Sequence, residues 1–202
     1  VPRLVDHAER RRAILEVTWR LIAAKGADAA TMREIARQAG YANGALSHYF
    51  PNKEALIEAA YVYVSEQTDE RTRAATVGKR GLAALRAFLV ELVPSDEITR
   101  LEAKIVLPFW SRTLTDGRLA RTNDAQLQRW RDKLVALIKE GREDDEVRTI
   151  VANEVIAEQL LAMAMGLQIL GLLPEHPTSR ELQLSLIDTH LTGLKSPEPG
   201  SG

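Results

Sequence analysis

No cysteine occurs in this 202-residue chain. That excludes a disulfide framework and any thiolate metal site, and it fits a reducing compartment. Aromatics are scarce, at 5% of residues, while Ala, Leu, Arg and Glu are plentiful, the balance of a helical protein. Charge of one sign is also missing: the net is −1, which argues against a non-specific polyanion binder. Long hydrophobic runs are absent too. The most apolar stretch, LLAMAMGLQILGLL from Leu160 to Leu173, is shorter than the roughly 20 residues a membrane span needs and carries Gln168. A helix buried on all sides accounts for it better. The opening VPRLVDHAERRR lacks the apolar core of a signal peptide, and residues 196–202 read as a disordered tail.

Catalytic signatures are likewise missing. There is no HExxH, no phosphate-cradling glycine loop, no GxGxxG and no nucleophile elbow. His7, His48, His176 and His190 are scattered, and none has a same-face partner that makes a dyad. The acidic run Glu143–Glu146 lacks the glycine-shaped geometry of a calcium loop. Neither an enzyme nor a cofactor is expected.

What is present points to DNA. From Thr31 to Leu56 the chain reads TMREIARQAGYANGALSHYFPNKEAL. Thr31 and Glu34 have the spacing of a capping box, with Glu34 reaching back to the Thr31 amide. Ile35, Ala36 and Ala39 make the apolar stripe of a two-turn helix, and Gly40 ends it. A second helix is expected from Ala42 or Asn43, with Asn43 replacing Ala42 as its cap. Short polar side chains on one face suit a helix that enters the major groove. Residues 1–55 hold nine Lys/Arg against six Asp/Glu, and residues 56–202 hold eighteen against twenty-two, so positive charge gathers where phosphate contacts would need it.

Helical periodicity continues along the chain. Asp6 to Lys25 places Ile14, Leu15, Thr18, Leu21 and Ile22 on one face, with Gly26 as its stop. Asn52 caps a helix that is apolar at Leu56, Ile57, Ala60, Tyr61 and Val64 and polar thereafter, as a connector would be. Gly78 and Gly81 mark a junction. Helices are then expected over 81–93, 96–114, 118–143, 148–173 and 178–195, the last with a capping box at Thr178 and Glu181. The fold class is all-α, with a three-helix helix-turn-helix domain over 1–55, a connector over 56–80 and a helical ligand-binding and dimerisation domain over 81–195.

The spaced set Thr31, Ile35, Ala36, Ala39, Gly40, Gly44, Leu46, Tyr49, Phe50, Lys53 and Leu56 resembles the DNA-binding domain of the TetR family of bacterial transcription regulators. Tyr41, Ala42 and Ser47 depart from its usual pattern. The resemblance implies a cytoplasmic, homodimeric regulator, commonly a repressor, that leaves a palindromic operator when a small molecule binds. It implies DNA contacts from Thr31, Ala42, Asn43, Ala45, Ser47, His48, Tyr49 and Lys53, with Tyr49 and Lys53 on phosphates and Asn43 and Ala45 toward bases. Dimerisation through the last two helices would use Met165, Leu172, Leu184, Ile187, Leu191 and Leu194. Pro108 should kink its helix, and Phe88, Glu102, Phe109, Trp110, Trp130, Met163 and Gln168 are candidates to line a nearby pocket. The C-terminal body is similar to the branch of choline-responsive betaine repressors, which would place a cation against tryptophan faces with Glu102 nearby. A helical interaction protein with no DNA role is the alternative; it requires the Thr31–Leu56 pattern to be accidental.

Overall fold

The computed structural model describes residues 2–26, 30–42, 44–173, 175 and 178–195, with side chains from His7 onward. Eight α-helices and no strand occur among them: α1 Pro2–Lys25, α2 Met32–Gln38, α3 Lys53–Thr76, α4 Gly81–Leu92, α5 Glu97–Thr113, α6 Gly117–Glu143, α7 Asn153–Leu170 and α8 Arg180–Gly193. A 3₁₀ turn, Ala45–His48, lies between α2 and α3. No described helix is long and apolar enough to cross a membrane. The expected tail, residues 196–202, falls outside the described residues.

Two compact units form. The first comprises residues up to Glu66 together with Leu101–Ala120. Its core takes the stripe of α1 expected from sequence, with Ile14, Leu15, Leu21 and Ile22 buried. Thr18 belongs to that stripe because its hydroxyl donates to the Ile14 carbonyl at 2.7 Å, so the polar group is buried satisfied. Leu56, Ile57, Ala60, Tyr61 and Val64 supply the apolar half of α3. From α5 come Ile105, Val106 and Phe109. The Phe109 ring stacks on Tyr61 at 3.7 Å between centroids and 5° between planes. Lys104, on α5, donates to the Ala23 carbonyl at 2.9 Å.

The second unit comprises Gln67–Arg100 and the chain from Arg121 onward. Leu82, Leu85, Phe88 and Leu89 of α4 pack with Trp130, Leu134 and Ile138 of α6. Ile156, Leu160, Leu161 and Leu167 of α7 and Ile187 and Leu191 of α8 complete the core. Gly81 opens α4 at φ +51, against α6. A Cβ there would collide with the Glu146 carboxylate and sit 3.0 Å from the Gly141 Cα. Only glycine permits that approach, which lets the Leu82 amide donate to Glu146 at 2.8 Å.

Two expectations need correction. Helix α7 starts at Asn153 rather than 148, because Arg142 holds the preceding segment in a non-helical path. Its guanidinium donates to the Thr149 carbonyl at 2.7 Å and to Asn153 Oδ1 at 2.7 Å. The cap of α8 is Ser179, whose hydroxyl accepts the Leu182 amide at 3.2 Å; Thr178 is buried instead. Helix α5 runs through Pro108, with Phe109 0% exposed in the first core.

Candidate nucleic-acid interface and ligand cleft

Helix α2 is fixed at both ends by its own sequence. Thr31 is extended (φ −83, ψ 153) and its hydroxyl accepts the Glu34 amide at 3.2 Å. The return half of the expected capping box does not form. Glu34 accepts instead from Arg37 at 2.7 and 2.9 Å, from Gln38 at 2.9 Å and from Lys25 at 3.4 Å. A charged guanidinium is a stronger donor than a backbone amide, and it wins. These partners hold the Glu34 carboxyl down to about 2, Arg37 first among them.

At the other end Gly40 is left-handed, at φ +77. The Tyr41 amide donates to the Ala36 carbonyl at 2.9 Å and the Gly40 amide to Arg37 at 3.4 Å, the paired bonds of a Schellman stop. The chain then turns at Gly44, φ +93, into the single 3₁₀ turn. The sequence pattern predicts a short second helix here. Left-handed Gly44 interrupts it, and no side chain caps the turn. Leu46 and Phe50, 2% and 1% exposed, anchor the segment to the core from either end of that turn.

The anchors decide what faces out. Ala42, Ser47 and His48 are exposed, and Ala45 is half-buried. The Ser47 hydroxyl donates to the Gly44 carbonyl at 2.5 Å, leaving its lone pairs outward. Asn43 lies outside the described residues. Tyr49 is half-buried, with its ring 5.8 Å from Tyr41, edge to face, and 4.8 Å from His7. Tyr41 therefore has a structural role: it buttresses Tyr49. Asn52 caps α3 by accepting the Ala55 amide at 2.8 Å, and Lys53 is the first residue of that helix. Lys53 thus stands at a helix N-terminus, whose dipole and first amides favour an anion. Sequence reasoning missed His7 against Tyr49 and Arg11 over the Phe50 ring at 4.7 Å, since neither pair has a local spacing to betray it.

The expected ligand residues divide between the two units. Phe109, Trp110 and Glu102 belong to the first unit. In the second, Gln168 is buried and donates to the Leu92 carbonyl at 2.9 Å, and Met163 packs against the core. Phe88 and Trp130 border a common cavity, of about 300 Å³. Its other walls are Asp69, Thr72, Arg73 and Thr76 from α3 and Arg129 and Lys133 from α6. Four of these eight are charged, a property that hydrophobic periodicity does not reveal.

The six residues expected at a dimer interface also divide. Ile187, Leu191 and Leu194 are 0%, 5% and 6% exposed, within the unit's own core. Met165, Leu172 and Leu184 are half-buried. Two apolar stripes run along α8, and the one that holds Ile187, Leu191 and Leu194 faces inward. The outward stripe holds Leu182 and Leu186, 44% and 41% exposed. Val155, Ile169, Leu170 and Leu173 are exposed on or just after α7.

Residues 14–60 match the family described as bacterial regulatory proteins, tetR family, and residues 81–195 match the C-terminal domain of BetI-type transcriptional repressors. The chain belongs to the tetR family. It is similar to the HTH-type transcriptional regulator PksA of Bacillus subtilis, 29% identical over 96% of this chain and 94% of that one. BetI of Burkholderia mallei is 27% identical over 98% of this chain and 99% of its own length. Among solved structures, a transcriptional regulator from Rhodococcus sp. RHA1 superposes with a TM-score of 0.81 at 24% identity, over 91% of this chain and 95% of that one. A regulator from Saccharomonospora viridis, in complex with choline, superposes with a TM-score of 0.82 at 23% identity, over 90% and 95%. These likenesses establish the TetR fold. TetR-family proteins are DNA-binding transcription regulators and not enzymes.

Proposed function

We propose that this TetR-family protein is a homodimeric repressor, working in the cytoplasm, that holds a palindromic operator and leaves it when a small molecule binds the second unit. The observation that carries the reading is the head. A doubly stopped α2 leads to a turn whose outward residues are small or polar, and Lys53 stands at a helix N-terminus beside it. Tyr49 and Lys53 take phosphates, while Ala42, Ala45, Ser47 and His48 face bases. Asn43 is proposed as a base-reading residue on its sequence position. The exposed apolar stripes of α7 and α8 support dimerisation, because an isologous pair would cover both at once. Two heads related by a two-fold axis read two similar half-sites about one helical turn or more apart.

Selection of binding sites from random duplex DNA tests this directly. The expected winner is a palindrome whose affinity falls steeply with salt. Enrichment of a single, unrepeated half-site would sink the dimeric reading, and no enrichment at all would sink the DNA assignment for the unliganded protein.

A further inference from the structure

We propose that the cleft lined by α3, α4 and α6 takes an amphipathic organic anion: a carboxylate carried on one ring or a short alkyl chain. The inference rests on the reading of the second unit as a ligand sensor, and it names the class of molecule sensed.

The cleft joins an apolar floor to a basic rim. Phe88 and Trp130 form the floor. Arg73 projects from α3, and Arg129 and Lys133 lie one turn apart on α6. Asp69 is the single carboxylate in the lining, and it is already engaged. Its Oδ1 accepts from Trp130 Nε1 at 2.9 Å and from Gln126 Nε2 at 3.0 Å. Its Oδ2 lies 3.9 Å from Arg129 Nε, and Arg129 also donates to the Gln126 side-chain carbonyl. Arg129 and Asp69 thus compensate each other. Arg73 and Lys133 remain, with no ion pair among the described residues. The hydroxyl protons of Thr72 and Thr76 are committed to helix carbonyls at 3.0 and 2.8 Å, so the donors left for a ligand are these two cations.

This charge balance selects against a cation. A quaternary ammonium needs open aromatic faces or an uncompensated carboxylate. Here the one carboxylate is spent on Trp130, Gln126 and Arg129, and the aromatic floor is edged by Arg73 and Lys133. Such a ligand would face two unpaired positive groups instead. An anionic head group between Arg73 and Lys133 gains charge-assisted hydrogen bonds, and its apolar body covers the floor. The volume of about 300 Å³ stands at the low end for small-molecule sites, which limits that body to a single ring or a short chain.

Calorimetric titration of the purified full chain at constant ionic strength tests the assignment, with octanoate and benzoate as probes and choline as the cationic counterpart. Octanoate or benzoate is expected to saturate a single site, and choline to give no binding heat. Arg73→Gln/Lys133→Gln should weaken the carboxylate at least tenfold while melting temperature and operator affinity hold. Lys133→Glu alone, at an exposed position, is the second variant and should weaken it likewise. Failure of both carboxylates to bind, unchanged binding by the variants, or choline binding that the double variant improves would each overturn the anion assignment. The sensor reading has its own arm: the small-molecule fraction of bacterial cells, added to the wild-type protein on its selected operator. Release that the double variant retains in full overturns the cleft assignment and leaves the sensor reading standing; no release removes both.

Discussion

Lys53 and Tyr49 are the side chains proposed to hold phosphates. Lys53 begins α3, and the proposed reading puts its ammonium and the first amides of that helix on the same phosphate. Lys53→Ala is expected to weaken binding to all sequences alike and to reduce the slope of log K against log salt by about 1. Salt titrations on the selected operator and on random duplex check this; an unchanged slope removes the phosphate contact. Acid should act through two groups in separate windows. Burial lowers the His190 imidazole below its ordinary 6.5, so the unfolded chain protonates first and stability is lost as pH falls through 6.5. Glu34 lies at about 2 against 4.5 unfolded, so its contribution is complete above 4.5 and is lost as pH falls toward 2. Melting temperature against pH should flatten near 6 in His190→Gln and between 4.5 and 2 in Glu34→Gln. These two residues differ in legibility. Glu34 stands three residues from its cap, so a role at the helix start was readable, though its ion-pair partners were not. His190 carries no local sign of burial.

Among the elements, α2 and α8 teach opposite lessons. Both stops of α2 are local chemistry, a threonine hydroxyl and a left-handed glycine, and both stood in the sequence. Removing the cap with Thr31→Ala should cost about 1 kcal/mol of stability, read by denaturant unfolding. The following segment looked like a helix because its spacing is helical. Yet Gly44 turns left-handed and leaves a single 3₁₀ turn. Helix α8 is amphipathic twice over, and periodicity alone cannot say which stripe faces in. Ile187 is in the core, so Ile187→Ala should destabilise the second unit by about 2–5 kcal/mol. Leu182→Glu/Leu186→Glu removes exposed leucines, so it should leave the folded chain nearly as stable but convert the dimer to monomer. Analytical ultracentrifugation decides it: a double variant that sediments like the wild type places the interface elsewhere.

At the scale of the molecule, the proposed repressor is a two-state device, and a ligand shifts it only by its differential affinity for the two states. A saturating ligand that lowers operator affinity tenfold must itself bind about tenfold more weakly to the operator-bound protein. Equilibrium titrations of ligand with and without operator test that reciprocity, and equal affinities would exclude the proposed release. The amino-acid sequence by itself determined the helical class, the placing of most helices and the family. Each depends on features close along the chain: caps, glycine stops, 3.6-residue periodicity and a dense set of spaced motif residues. Which residues meet across the chain was decided only by tertiary structure. Phe109 stacks on Tyr61 from far along the chain, and Arg73, Arg129 and Lys133 converge on a cleft that no motif marks. Helical spacing fixes which residues share a face, whereas the direction of that face is set by packing against elements far away in sequence.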